Sequence, residues 1–322
     1  DVDAQFVKPP HHRRFKRMSF FTAAARRVVN HRRRALTRAL SDHARVLAHE
    51  VHGAPFDSKV DADALSTIFI LHGLMGAGRN WRTFAKQLRQ RLGEQDWRVV
   101  LVALRGHGAS ASVGQGAGHG VVEAARDVDA LAKMVGTAPS VVVGHSLGGK
   151  IALEYSKLAT TAPKQTWSLD SVPGRVEADP HGVAEVLSAI RALPRRIPSR
   201  KWLAQALPQF SAELVDWIGS NLKNVRDGGS ELELVFNLDT VMQLYDSYQK
   251  TDSWHAIEDE ASGIYIVKAE NSTRWSTACV ERLKNSSANF QVLANAGHWV
   301  HTDNPNGLLE ILATSIPKSR QL

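Results

Sequence analysis

Short apolar runs, each closed by glycine or a polar turn, recur along this chain. Leu47, His49 and Val51 alternate with Ala48 and Glu50, and Gly53 and Pro55 end the run. Ile68–Leu71 precedes His72-Gly73, Val99–Val102 precedes Arg105-Gly106-His107-Gly108, and Val141–Val143 precedes Gly144. Trp167–Leu169, Ile264–Val267 and Phe290–Leu293 repeat the pattern later. Runs this short and this apolar predict strands buried on both faces. Apolar residues at helical spacing fall between them, over Trp81–Leu92, Val121–Val135, Lys150–Leu158 and Leu308–Ser315. Strands alternating with amphipathic helices predict an α/β fold, a mostly parallel sheet with helices on both faces.

Residues 173–255 break the alternation. Helical stretches follow one another over Val183–Leu193, Trp202–Leu207, Glu213–Leu222 and Leu232–Tyr248, with Pro194, Pro198, Pro208 and Gly228-Gly229 between them. This predicts a helical cap inserted into a domain at 45–322. Its apolar faces, among them Leu187, Ile190, Leu214 and Trp217, are candidates to line an acyl pocket or simply to pack on the body.

Charge changes the picture at the N-terminus. The 322 residues carry a net charge of +8. Residues 1–44 hold eleven Lys and Arg against three acids, and residues 45–322 are neutral overall. No acid lies between Asp3 and Asp42. A basic, acid-poor extension of this kind fits an organelle-targeting segment, with a mitochondrion preferred to a plastid. It equally fits an arm that contacts an assembly, RNA or an anionic membrane, or a solvated tail. Ser19 is placed to cap a helix running to about Leu40. No stretch approaches the ~20 apolar residues of a transmembrane helix. The lone Cys279 excludes an internal disulfide and a cysteine-rich zinc site. No metal-ligand cluster appears, no glycine-rich loop has nucleotide-binding spacing, and no cofactor is expected.

The chemistry is carried by Gly144-His145-Ser146-Leu147-Gly148, a G-x-S-x-G pattern. It follows a three-valine strand and opens a helix, the context of a nucleophile elbow. The turn forces strain onto the serine, and small neighbours are needed where chain crosses chain.

Four motifs in order then resemble the α/β-hydrolase fold over about residues 45–317: Leu71-His72-Gly73-Leu74-Met75-Gly76, Arg105-Gly106-His107-Gly108-Ala109-Ser110, the elbow, and Ala296-Gly297-His298. Within that fold, Gly144–Lys150, Asn237-Leu238-Asp239, Glu270-Asn271-Ser272 and Gly297–His301 are similar to the abhydrolase domain-containing protein 11 type and its bacterial esterase relatives. The resemblance implies a serine esterase or thioesterase acting on a small acyl ester or thioester through an acyl-enzyme on Ser146. His298 would be the base. Backbone N–H groups of Leu74 and Leu147 would form the oxyanion hole. His72 is expected to shape the oxyanion loop, whereas His107, His145 and His301 suggest no role.

The triad acid has three candidates. Asp170 ends the strand beside the nucleophile strand and is preferred, because a strand end holds a carboxylate firmly. Asp239 lies in the cap helices. Glu270 follows the penultimate strand, where relatives usually place an Asp and this chain has Ser272. A second departure is Ala103, where relatives commonly have an acid two residues before the arginine of the Arg-Gly-His-Gly loop. The alternative function is a hydrolase fold reused as a structural subunit of an organellar complex, anchored by residues 1–44.

Overall fold

The computed structural model describes residues 46–56, 65–114, 118–176, 182–226, 229–258 and 263–317. The basic extension and the helix expected from Ser19 lie outside these residues.

A seven-stranded sheet forms the centre. Its strands are β1 (His49–His52), β2 (Ser66–Leu71), β3 (Trp97–Val102), β4 (Val141–His145), β5 (Gln165–Leu169), β8 (Ile264–Ala269) and β9 (Asn289–Leu293), in the order β1-β3-β2-β4-β5-β8-β9. Only β1 runs antiparallel, pairing His49 with Val102. The remaining pairs are parallel and β4 lies between β2 and β5.

Side chains alternate across the pleat. Ile68, Ile70, Val99, Leu101, Val141 and Val143 enter one apolar cluster with helices α1 (Arg82–Leu92) and α11 (Pro305–Ser315). Phe69, Leu71, Val100, Val102 and Val142 enter a second cluster with α2 (Val121–Val135) and α3 (Leu147–Leu158). Continuous apolar strands are therefore buried on both sides, as their composition requires.

Between β5 and β8 lie α4 (Val183–Ala192), α5 (Arg200–Ala206), α6 (Ala212–Ser220), a hairpin of β6 (Leu222–Asn224) and β7 (Leu232–Leu234), α7 (Leu238–Lys250) and α8 (Trp254–Ile257). Two helices expected here are shorter. The stretch from Leu232 begins as a strand, and α7 starts only after Asn237, whose side chain accepts the Thr240 N–H as an N-cap. Glu213–Leu222 stops at Ser220, and Leu222 pairs with Leu234. All of these elements except α8 share an apolar cluster built on Leu187, Ile190, Leu203, Ile218 and Val241, whereas α8 packs with Ile264 and Ile266 of β8. The remaining short elements near the C-terminus are α9 (Thr277–Lys284) and α10 (Val300–Asp303).

Candidate active site

β4 ends at His145, and α3 begins at Leu147. Ser146 between them has φ 53° and ψ −117°, a strained conformation for a residue with a Cβ. The turn survives because its flanks are glycine. A Cβ on Gly144 would collide with the Gly148 carbonyl, and one on Gly148 would collide with the Leu71 carbonyl. Ser146 N–H donates to Leu169 O at 3.0 Å, which ties the turn to β5. The side chain of Ser146 lines a cavity at the sheet's C-terminal edge.

His298 sits on the loop between β9 and α10. Its ring joins two groups. Nδ1–H donates to Asp170 Oδ2 at 2.7 Å, and Nε2 accepts from the Ser146 hydroxyl at 3.1 Å. The loop is braced on several sides. Gly297 N–H donates to Asp303 at 2.8 Å, Asn271 N–H to Ala296 O at 2.9 Å, and Asn304 Nδ2 to Ala294 O at 2.8 Å. His145, placed by the turn itself, holds the histidine's own backbone: its Nε2–H donates to His298 O at 2.7 Å. Burial, reinforced by His298 and His301, drives the His145 pKa well down, so its ring is neutral.

Asp170 is fully buried just past β5, with φ 41°. Besides His298 it accepts hydrogen bonds from Trp275 Nε1 at 2.7 Å, Ser272 Oγ at 2.9 Å and Ala269 N–H at 3.2 Å. Burial acts to raise its pKa, but the bond and charge of His298 and the bonds from Trp275 and Ser272 outweigh that and hold it below the usual carboxylate range. Burial pulls His298 below an ordinary histidine, and the Asp170 carboxylate offsets this only in part.

The other two carboxylates stand elsewhere. Asp239 is exposed on α7 and faces Arg191 at 3.6 Å. It lies in the first turn of α7, and among the described residues no hydrogen bond or ion pair joins it to His298. Glu270 directly follows β8, and its carboxylate accepts the Asn295 N–H at 2.7 Å, bracing the histidine loop, while the ring is met by Asp170.

The loop after β2 passes over the serine. Leu74 lines the cavity beside Leu147, and Leu147 N–H, at the first position of α3, has no acceptor within its helix. Met75 has φ 53°, and its N–H donates to His107 Nε2 at 2.9 Å. His107 Nδ1–H donates in turn to Arg105 O at 2.9 Å. His72 works alongside: Nδ1–H donates to Gly73 O at 2.8 Å, while Nε2 accepts from Leu104 N–H at 3.1 Å. Burial lowers His72 to about 3 and His107 to about 4, so both are neutral and keep these tautomers. The Arg105 guanidinium is held by Asp127 on α2, at 2.6 Å and 2.9 Å. An acid from a helix thus serves the arginine where Ala103 supplies none.

Trp275, Ser272, His107 and His145 carry site geometry that sequence reasoning did not assign. Burial raises the Cys279 thiol to about 11, which leaves it protonated and unreactive. Among the described residues no group of His, Cys, Asp and Glu is arranged to hold a metal. No helix among them is long and apolar enough to cross a membrane.

A strained serine after the central strand of a parallel sheet, met by a histidine from the loop after the last strand, defines a hydrolase site of the α/β type. The chain belongs to the alpha/beta hydrolase family, whose model matches residues 68–311. It is similar to the mouse (Mus musculus) sn-1-specific diacylglycerol lipase ABHD11, at 27% identity over 79% of this chain and 82% of that protein. It is also similar to esterase YbfF of Escherichia coli, at 27% identity over 77% of this chain and 91% of that one. A solved marine microorganism esterase superposes with a TM-score of 0.69 at 20% identity, covering 84% of this chain and 99% of that chain.

Proposed function

We propose that the protein is a serine hydrolase that cleaves a carboxylic ester or thioester through an acyl-enzyme on Ser146. The observation that carries this is the continuous relay Asp170–His298–Ser146, at 2.7 Å and 3.1 Å. The carboxylate fixes the imidazole with its proton on Nδ1, which leaves Nε2 to take the serine proton. Ser146 Oγ attacks the acyl carbon, and the carbonyl oxygen becomes an oxyanion. The N–H groups of Leu74 and Leu147 receive it, aided by the positive end of α3. His298 passes the proton to the leaving alcohol or thiol, and the acyl group stays on Ser146. Water then attacks that ester. His298 takes its proton and returns it to Oγ as the acid departs.

On this reading the elements at 173–255 form a cap over the serine. Val183, Val186, Leu214, Trp217 and Trp299 give the cavity, about 230 Å³, an apolar wall suited to an acyl chain. The relatives reported above are named as esterases or a lipase, which gives the structural-subunit alternative no support. The acid-poor basic stretch at 1–44 supports an organellar address, a mitochondrion before a plastid.

The test is labelling by a fluorophosphonate together with ester turnover. Ser146→Ala should abolish both. Asp170→Asn should lower kcat on the order of 10⁴-fold by favouring the wrong tautomer, whereas Asp239→Asn should stay within about twofold, as expected of an exposed surface charge. A folded protein that neither labels nor turns over esters, or an Asp170→Asn variant with full activity, overturns the reading.

A further inference from the structure

Among the described residues that line the cavity beside Ser146, Arg274 is the only one of permanent charge. Its position is built. Ser272 and Trp275, its neighbours on the same loop, both donate to Asp170, so the segment that orients the carboxylate also sets where the arginine leaves the chain. The Arg274 Nε is buried and has no hydrogen-bond partner among the described residues. Among the described residues no Asp or Glu lines this cavity, and the ion pairs formed by other arginines, such as Arg105 with Asp127 and Arg191 with Asp239, have no counterpart at Arg274.

A guanidinium at an apolar wall, with one N–H out of water and no counter-ion among the described residues, costs free energy unless a ligand supplies the acceptor. Its planar donors match a carboxylate in a bidentate fork. A phosphate dianion asks for more positive charge than one arginine offers, and among the described residues no second permanent cation lines the cavity. We propose that the substrate bears a free carboxylate that Arg274 binds while the scissile carbonyl rests at Ser146. The inference depends on the serine-hydrolase reading above. It narrows the substrate to an acid-bearing ester or thioester, with the acid on either the acyl or the leaving-group side.

The charge balance around the histidine fits the assignment as well. Arg274 is one of the charges that hold His298 low, after burial and against Asp170. A carboxylate on the guanidinium would offset that charge, so the correct substrate would make its own base stronger.

Two matched pairs separate the arms. On the acyl side, 4-nitrophenyl hydrogen adipate is compared with its methyl-capped diester. On the leaving-group side, 4-carboxyphenyl acetate is compared with the acetate of methyl 4-hydroxybenzoate. Native protein should favour the charged member of one pair by at least about tenfold in kcat/KM, the scale of a charge-assisted hydrogen bond. The charged-to-neutral ratio, rather than the absolute rate, is the readout. It should fall towards one in Arg274→Met and recover in part in Arg274→Lys. The proposal is overturned if the neutral esters are cleaved with no preference in either pair, or if the preference survives in Arg274→Met. The comparison within the native protein decides the matter even if a variant does not fold. No cleavage of any of the four, together with no labelling of Ser146, removes the hydrolase reading and this proposal with it.

Discussion

Asp170 is held by four donors at once, and His298 is one of them. The consequence falls on the histidine, whose environment also includes Arg274 and Asp303, with the neutral His145 and His301 nearby. Burial dominates, so His298 titrates below the 6.5 of an ordinary histidine. Protonated, it has no lone pair for the serine proton. Activity on a neutral ester should therefore fall as pH drops through an inflection below 6.5 and stay level above it. The pH profile of kcat/KM checks this; an inflection above 7 would contradict it. At this scale the sequence pointed to Ser146, His298 and Asp170, whose side chains the structure brings together, because each ends a strand or follows a glycine-bounded motif. It did not disclose Trp275 or Ser272. Their partner is about 100 positions away in sequence, and neither local spacing nor periodicity records such a contact.

Among the elements, the loop after β2 shows how a turn is set by side chains from another strand's end. Met75 has a positive φ, and its N–H is anchored on His107, from the loop after β3. Removing that acceptor frees the segment that carries Leu74. His107→Ala should lower kcat by about a hundredfold, the scale of a misplaced catalytic group, with a smaller change in KM. Steady-state kinetics on one ester checks it; an unchanged kcat would mean the loop holds its shape without the ring. The strands and the helices against them were legible because burial on two faces leaves an unbroken apolar signature. The segment from Leu232, expected as helix, opens as a strand. Its Glu231-Leu232-Glu233-Leu234 alternation already fits a strand, and Asn237 fits a cap, but the apolar residues downstream masked both.

For the molecule as a whole, the question is what joins the sheet to the helices between β5 and β8. Lys150, one turn into α3, is fully buried and its ammonium donates to the carbonyls of Gly174, Tyr248 and Thr251. Those carbonyls lie near both ends of the inserted segment, so one side chain fastens its entry and its exit. Lys150→Met keeps the length but leaves three acceptors unmet. It should lower stability by about 2–4 kcal/mol, read as a lower urea midpoint with an unchanged slope. A variant of native stability would show that the carbonyls find other donors. Charge composition set the basic extension apart from the neutral body, but it is silent on internal fastenings such as this one.

Ser272 Oγ touches the same Asp170 oxygen that binds the histidine. Two adjoining strands therefore offer two footholds for one negative charge. A carboxylate grafted at 272, with a hydroxyl left at 170, would find the imidazole waiting in place. On the proposed mechanism the acid is a tenancy rather than a fixture, transferable next door by two substitutions while serine and histidine stay where they are.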